Sequence, residues 1–344
     1  MIEDIPELSV VVPCLNEEEV LPVFFKELIP HLDTLVHGRW EIIVVDDGST
    51  DATWSIIHSY SSKDKRIHGL SLSRNFGHQP ALDAGLVFAS GKYVAVLDCD
   101  LQDPPEVLVE LVKKAQAEQY DVCYAVRKNR DAPLVLRLLY KLFYRLMVGC
   151  SERPWPLDAG DFCVLKQSAL KSLLAMPESI RMLRGLRSWI GLRQGYVSYD
   201  RPPRAYGQSK YNLRSLSGLA IRAFVGFSQV PLRLASWIGF GMTLLSIAVG
   251  IFFVLNRLIP GITPLGYYVG QNPGITTLVL LMLFISSMLF LCMGIIGEYL
   301  VVILREIKGR PTAIVRETSG SPRMQTHNVP IVVLPDLSES RQLK

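Results

Sequence analysis

The sequence predicts an α/β fold, a mostly parallel and doubly wound sheet covered by helices, followed by two transmembrane helices. Short apolar runs that end in acidic or polar turns alternate with helical segments in the N-terminal part of the chain, which is typical of a parallel sheet. Two long uncharged runs follow near the C-terminus. The 344 residues leave room for about two domains.

Apolar and often β-branched runs are predicted to form the strands of this sheet. They lie at residues 9–15, 40–45, 68–72, 92–97 and 121–126. Helices are predicted over 105–116 and in the segment after His78. Asn16 and Glu19 have the spacing of a capping box, which predicts that Asn16 caps the helix after the first strand.

An Asp-x-Asp pair, Asp98 and Asp100, stands directly after the run at 92–97. In open α/β sheets, ligands bind at the carboxyl ends of the strands. Carboxylates there suit Mg²⁺ or Mn²⁺, because these cations prefer oxygen ligands that substrate phosphates can complete. In an ordinary loop such a pair would be solvated surface. Its place after a strand favours a divalent cation bound to a diphosphate substrate.

The C-terminal part of the chain carries most of the excess hydrophobicity. Hydrophobic residues make up 49% of the sequence, and the mean hydropathy is +0.25. Residues 234–256 and 276–297 contain no charge, and each run is long enough to cross a bilayer core as a helix. The alternative is a pair of core helices in a soluble domain, but two such runs in succession favour a transmembrane hairpin.

Basic residues flank the two uncharged runs on the outside. They are Arg222 and Arg233 before the first run, and Arg305, Lys308 and Arg310 after the second. Because short cytoplasmic segments carry the excess of Lys and Arg, both ends are predicted to be cytoplasmic. Arg257, at the far end of the first run, is the basic residue that stands against this orientation.

Charge and cysteine content narrow the class of protein further. The formal net charge of +4 is too small to indicate nucleic-acid binding and fits a protein that meets anionic membrane lipids. The six cysteines form no Cys-x-x-Cys pair, which favours free thiols in a reducing compartment. The N-terminus shows neither the basic region nor the apolar core of a signal peptide, so the first domain is expected to stay in the cytoplasm.

Ordered motifs along the chain carry a family resemblance. They are Val-Val-Pro-x-Leu-Asn-Glu-Glu (11–18), Val-Asp-Asp-Gly-Ser-Thr-Asp (45–51), Ser-Arg-Asn-Phe-Gly-His-Gln (73–79), Asp-x-Asp-Leu-Gln-Asp-Pro-Pro-Glu (98–106) and Gly-x-Ser-Lys-Tyr (207–211). Together they resemble the family 2 GT-A glycosyltransferases. More narrowly they resemble the polyprenyl-phosphate hexosyltransferases, which include dolichyl-phosphate mannose synthases and bactoprenol glucosyltransferases. The resemblance covers about residues 8–310, and the two C-terminal spans favour the bactoprenol group.

The resemblance implies roles for residues on the donor side. The nucleotide-sugar donor would be bound by Pro13, Leu15, Glu17, Asp46, Asp98 and Cys99, with Asp46 accepting a hydrogen bond from the base. The divalent cation would be held by Asp100 and Gln102, with Asp98 beside them. Gln102 is alternatively a plain residue at the start of a helix. His78 is either a structural hydrogen-bond partner or a substrate contact.

On the acceptor side, residues 134–149 have the pattern of an amphipathic helix that lies in the membrane interface, with basic residues every fourth position on one face. The alternative is an ordinary surface helix packed on the sheet. The resemblance places Arg127 and Lys141 at the phosphate of the lipid acceptor. It also places Arg204 and Lys210, on the basic loop 201–211, at the donor diphosphate.

Two carboxylates are candidates for the general base, Asp158 and Asp161. The resemblance implies that one of them lies near the acceptor. A lipid monophosphate with a second pKa near ~6 is already largely ionised at neutral pH, so strong base catalysis is not required. We favour Asp158, although the sequence alone does not separate the two.

The predicted organisation is a cytoplasmic GT-A catalytic domain over 1–211, a juxtamembrane helix over 212–231, a transmembrane hairpin over 232–304 and a cytoplasmic tail over 305–344. In the tail, the apolar run at 329–334 either pairs as an edge strand with another subunit or is disordered. The location implied is the bacterial inner membrane, and a homo-oligomer is expected.

The function that follows is inverting transfer of a hexose, with UDP-glucose as the favoured donor, to undecaprenyl phosphate for lipopolysaccharide or O-antigen modification. One alternative is a processive polysaccharide synthase, which would need more spans and usually a Gln-x-x-Arg-Trp motif that residues 184–189 do not match. Another is a non-catalytic membrane scaffold, against which the intact residues of the Asp-x-Asp motif argue. No spacing in the sequence identifies the sugar.

Overall fold

The computed structural model describes residues 5–127, 159–178, 181–201 and 275–334, with individual residues between 237 and 251. The chain divides into two compact units. One comprises Met1–Leu216 together with Lys308–Lys344, and the other comprises Ser217–Ile307.

The described strands of the first unit form one sheet. In chain order they are β1 (Leu8–Cys14), β2 (Trp40–Asp46), β3 (Ile67–Leu72), β4 (Tyr93–Val96), β5 (Val122–Arg127), β6 (Ala159–Lys166), β7 (Gln194–Tyr199), β8 (Ala313–Ser319) and β9 (Ile331–Val333). Their order across the sheet is β7-β5-β6-β4-β1-β2-β3-β8-β9. The described helices are α1 (Leu21–Val36), α2 (Thr53–Lys63), α3 (His78–Phe88), α4 (Pro105–Ala117), α5 (Gln167–Leu174), α6 (Leu183–Trp189) and α7 (Ile275–Lys308).

The centre of the sheet confirms the predicted α/β pattern. Strands β1, β2, β3 and β4 pair in parallel, and every residue of β1 and β2 is buried. Such continuous burial is expected of parallel strands that are covered by helices on both faces. Helix α1 packs Phe24, Phe25 and Leu28 into this core. The carboxyl ends of β1, β2 and β4 therefore meet along one edge, which positions the loops of the site.

Antiparallel strands extend the predicted sheet on both sides. Strand β6 lies between β4 and β5 and is antiparallel to both, and β8 is antiparallel to β3. In the sequence, residues 158–162 indicate only a carboxylate motif. The strand there was missed because its Asp161 interrupts the apolar run, although the structure buries that carboxylate against charged partners.

The predicted cap at Asn16 is wrong. Helix α1 begins at Leu21, with Pro22 in its first turn, where the missing proline N–H costs nothing. Asn16 instead takes a left-handed conformation with φ 53°. Its side-chain oxygen accepts a hydrogen bond from the amide of Thr50 at 2.8 Å, so it joins two loops at the sheet edge.

Among the described residues, one helix is long and apolar enough to cross a membrane. It is the 25-residue segment Phe284–Lys308 of α7. Its mean hydropathy is 2.2, and no part of its most apolar stretch is buried. Trp237, Phe240 and Ile251, in the other predicted span, are helical and exposed. Most of that span lies outside the described residues, so the transmembrane hairpin stays a prediction.

The C-terminal tail belongs to the same unit as the sheet. Strand β8 pairs with β3, and β9 pairs in parallel with β8, through Ala313↔Ile331 and Val315↔Val333. The run that was predicted to pair with another subunit or to be disordered thus pairs within its own chain. Strand β3 would otherwise present an unpaired edge, and the tail covers it.

Candidate active site

Two loops at the carboxyl ends of β1 and β2 are tied together by hydrogen bonds. The Asn16 amide donates to Ser49 Oγ at 2.9 Å, and the Glu17 amide donates to Thr53 Oγ1 at 2.9 Å. Glu18 Oε2 accepts from the Ala52 amide at 2.8 Å. The structure therefore places the predicted donor-binding residues Leu15 and Glu17, both partly buried, in a loop that hydrogen bonds to the loop after β2 hold in place. Pro13 lies in β1, opposite Val45.

Asp46 and Asp47, adjacent in the chain, have different surroundings. Asp46 is 1% exposed, and it accepts hydrogen bonds from the Ser49 amide at 2.9 Å and from Ser71 Oγ at 3.4 Å. The carboxylate of Asp47 accepts from the amides of Phe76 and Gly77, at 2.7 and 2.9 Å. Burial raises the pKa of Asp47 even though these two hydrogen bonds oppose the shift. Asp47, which the sequence analysis did not single out, thus anchors the 74–77 segment.

Gly48 allows this segment to approach closely. Its φ is +73°, and a Cβ there would lie 2.5 Å from the carbonyl carbon of Arg74 and 2.6 Å from the amide nitrogen of Asn75. Both contacts are with backbone atoms, which cannot move aside by changing rotamer as a side chain can. Gly48 is therefore required for packing as well as for backbone conformation.

We expect Gly48→Ala to lower the melting temperature of the solubilised protein by several degrees more than Gly38→Ala does. Both glycines have positive φ, so both variants lose about 1 kcal/mol. Only at Gly48 does the new methyl group meet backbone, because at Gly38 it meets only the end of the Arg66 side chain at 3.4 Å. A further cost of about 1–3 kcal/mol is expected at Gly48. Equal losses in the two variants would show that the close approach is unimportant.

Three carboxylates gather after β4. Asp100 Oδ1 accepts from the Gln102 amide at 3.1 Å, and Asp103 Oδ1 accepts from the Tyr199 hydroxyl at 2.9 Å. Burial, with repulsion from Asp98 and Asp100, raises the pKa of Asp103 to about 7. Burial likewise raises the pKa of Asp98, and Asp100 and Asp161 add to the shift. Asp98 and Asp103 therefore lie where burial and the neighbouring carboxylates disfavour their charged forms.

A cation partly offsets this charge. The Arg201 guanidinium lies 3.7 Å from Asp100 Oδ2 and 3.8 Å from Asp103 Oδ1. In the described part of the chain, no group of three or more His, Cys, Asp or Glu side chains is arranged to hold a metal ion. Carboxylate oxygens suit a hard divalent cation that substrate phosphates complete, so these residues fit such an ion only together with the substrate.

Asp161 lies at the centre of a second, charge-balanced group. Arg184 donates to both of its oxygens at 2.9 Å, Gln79 Nε2 donates at 3.2 Å, and His78 Nε2 lies 3.4 Å away. Burial alone would raise the pKa of Asp161, but the charge and hydrogen bonds of Arg184 and His78 hold it well below its usual value. In this structure Asp161 is a fixed anion and a poor proton acceptor.

His78 connects the two carboxylate groups. Its Nε2 also lies 3.9 Å from Asp98 Oδ1. Burial works to lower the pKa of His78, but the interactions with Asp161 and Asp98 outweigh it and raise the pKa. The ring therefore lies between the Asp-x-Asp motif and the Asp161 group, and the carboxylates on both sides favour its protonated form.

The sequence analysis missed the arginines of α6. It compared residues 184–189 only with a polymerase motif, whereas Arg184 pairs with Asp161 and buried Arg187 donates to the carbonyls of Gly160 and Asp161, at 2.8 and 3.2 Å. A helix with arginines three positions apart next to a lone buried carboxylate was the available signal. The helix was not assigned, so the pairing was not expected.

Arg127, a predicted acceptor residue, ends β5. Its Nε is buried and has no hydrogen-bond partner, and the same is true of Arg201 Nε. The hydroxyl of Tyr199 lies near Arg127, and burial together with Asp103 raises the pKa of that hydroxyl. Two guanidinium groups with unused donors near one tyrosine are suited to binding an anion.

The remaining predicted site residues divide into two groups. Cys99 is buried in the hydrophobic core with Cys14, and burial holds the pKa of its thiol well above the usual value. The residues that lie outside the described part of the chain are Lys141, Asp158, Arg204 and Lys210, together with the predicted helices over 134–149 and 212–231.

Comparison with known proteins identifies the family. Residues 9–174 match the model of glycosyl transferase family 2. An uncharacterized glycosyltransferase of Synechocystis, sll0501, is 36% identical over 91% of this chain and 96% of its own length. The SfII prophage-derived bactoprenol glucosyl transferase of Shigella flexneri is 35% identical over 92% of this chain and its full length, and the prophage homolog of Escherichia coli K12 is 34% identical over 90% and 98%. The chain is therefore a glycosyltransferase of family 2, in the bactoprenol glucosyltransferase-like group.

Proposed function

We propose that the protein transfers glucose from UDP-glucose to undecaprenyl phosphate, with inversion at the anomeric carbon, to give a lipid-linked sugar for surface polysaccharide modification. The observation that carries this proposal is the pair of groups joined by His78. Carboxylates suited to a metal-bound diphosphate lie on one side, and a carboxylate paired with Arg184 lies on the other. The names of the relatives, bactoprenol glucosyl transferase, support the lipid acceptor.

On the donor side, the loops after β1 and β2 bind the nucleoside, and Asp46 accepts from the base. Asp100 and Gln102, with Asp98, hold Mg²⁺ or Mn²⁺, which when bound offsets the charge that develops on the departing diphosphate. Arg204 and Lys210 bind the diphosphate from the loop after Arg201. Without a cation, the three carboxylates after β4 repel the negatively charged diphosphate.

On the acceptor side, Arg127 and Lys141 bind the lipid phosphate. The buried Nε donor of Arg127, which has no hydrogen-bond partner, supports this role. Asp161, with its lowered pKa, orients His78 and Arg184 rather than taking a proton. Asp158 is the proposed base for the fraction of acceptor that is still protonated, since most of the phosphate is ionised at neutral pH.

The membrane part of the proposal rests on α7. Its apolar residues are exposed over a length that crosses a bilayer core. We propose a hairpin with the other apolar run, both ends in the cytoplasm, in the inner membrane, and assembly as a homo-oligomer. This arrangement brings a cytoplasmic donor to a lipid acceptor at the membrane surface.

The test is release of nucleoside diphosphate by the purified full chain from a panel of UDP- and GDP-sugars. Each sugar is assayed with and without undecaprenyl phosphate, in Mg²⁺ or Mn²⁺ and in EDTA. We expect release that needs both lipid phosphate and metal, with UDP-glucose dominant and a β-linked product. Lipid-independent release with a polymeric product would indicate a processive synthase. No release with any sugar would indicate a non-catalytic scaffold.

A further inference from the structure

The C-terminal tail, residues 313–334, is fixed to the catalytic unit at several separate places. The Ser73 amide donates to the carbonyl of Ile314 at 2.9 Å beyond the end of β3, and Ser319 Oγ contacts His58 at 2.9 Å. Farther along, the Gln325 amide donates to the carbonyl of Val87, and the Asn328 amide donates to the carbonyl of Leu174 at 2.8 Å. The tail therefore runs from the edge of β3 to α3 and α5.

The pairing of β8 with β3 is irregular at one point. Ser71 lies opposite Glu317 and Leu72 lies opposite Val315, so Arg316 is the extra residue of a β-bulge. Bulges redirect a side chain and are frequent beside active sites. This bulge stands at the carboxyl end of β3, which lies next to the carboxyl end of β2 and its Asp46.

Arg316 reaches that edge. Its Nη2 donates to Ser71 Oγ at 3.1 Å, and Ser71 Oγ donates to Asp46 Oδ2 at 3.4 Å. The donated hydrogen bond orients the serine hydroxyl towards the carboxylate, and each bond of such a chain strengthens the next. Asp46 is 1% exposed whereas Arg316 is exposed, so Arg316 is the member of this chain that an incoming ligand meets first.

We infer that the tail completes the donor site by supplying Arg316, which binds the nucleoside end of the nucleoside diphosphate above Ser71 and Asp46. This inference rests on the proposed function, in which Asp46 faces the base. A guanidinium group offers several donors in one plane, which suits the carbonyl edge of a pyrimidine, and its flat face stacks on an aromatic ring. The tail thereby links the end of α7 in sequence to donor binding.

The experiment measures binding of UDP, UMP and uridine to the full-length protein in detergent, without turnover. We expect Arg316→Gln to weaken the affinity for all three by a similar factor, about tenfold or more. Arg316→Lys keeps the charge and the strand but not the planar fork, so it should restore affinity only in part. The matched control is Arg323→Gln, which removes the same charge from an exposed position in the same tail and should bind UDP as the wild type does.

Steady-state kinetics add a second readout. Arg316→Gln should raise the KM for the sugar nucleotide and leave the KM for lipid phosphate unchanged, which general loss of structure would not do. Melting temperatures show whether the tail stays docked. If Arg316→Gln melts below the wild type, the affinity of Arg316→Lys, which keeps the charge and the strand, is the deciding measurement. Unchanged affinity in a folded variant, or a loss confined to UDP and absent for UMP and uridine, would overturn the inference.

Failure of the inference about Arg316 can be distinguished from failure of the proposed function. If the wild type binds no uridine nucleotide, the proposed donor is wrong, and the same variants are compared with the nucleotide that the wild type does bind. The inference then fails if Arg316→Gln binds that nucleotide as tightly as the wild type.

Discussion

Asp100→Asn is expected to lower kcat by roughly two to three orders of magnitude while leaving the protein at least as thermally stable as the wild type. The loss follows if Asp100 holds the cation that stabilises the leaving diphosphate, which is worth several kcal/mol in the transition state. Stability should not fall, because Asp98, Asp100 and Asp103 repel one another in the absence of the ion. Turnover, melting temperature and their dependence on Mn²⁺ concentration are the measurements.

The same reasoning predicts how Mn²⁺ affects stability. A ligand that binds only the folded state raises the melting temperature, so Mn²⁺ with UDP should stabilise the wild type and have a much smaller effect on Asp100→Asn. Glu110→Gln is the matched control, since it removes one negative charge from an exposed position of α4 that is not part of the site. If Asp100→Asn kept wild-type turnover and metal response, the cation site would have to be elsewhere.

The donor side of the site was predictable because its residues lie close together in sequence. The strand over 93–96 is apolar and Asp98 follows two residues after its end, and the carboxyl end of a parallel strand is where ligands bind. The boundaries of β1, β2, β3 and α4 differ from their predicted ranges by at most one residue at either end. Local pattern was sufficient for these elements because each is a regular, strongly apolar segment.

The acceptor side was not predictable in the same way, because its partners are far apart in the chain. Asp161 pairs with Arg184 and His78, and no local pattern relates residues 78, 161 and 184. In the sequence, Asp161 is only a polar residue that interrupts an apolar run, and nothing there indicates its two basic partners. The contact of Arg316 with Ser71 is similar, since it depends on a bulge between strands that are 245 positions apart.

Asp161→Asn is expected to destabilise the protein, in contrast with Asp100→Asn. Removing one partner of a buried ion pair costs about 3–5 kcal/mol, and because the Arg184 side chain is 38% exposed we expect about 2–3 kcal/mol here. The variant should melt several degrees below the wild type. It should also lose activity, because His78 is no longer held beside Asp98.

A double-mutant cycle separates this positioning role from proton transfer. With Arg184→Gln in the same chain, the loss of stability should be clearly smaller than the sum of the two single losses, because the charges were compensating each other. Asp158→Asn should instead leave the melting temperature unchanged and lower kcat, with a deficit that shrinks as the pH rises above the second pKa of the lipid phosphate, near ~6. If Asp161→Asn kept full stability but lost turnover with that pH profile, Asp161 would be the base, and its low pKa in the free enzyme would have to rise when the acceptor binds.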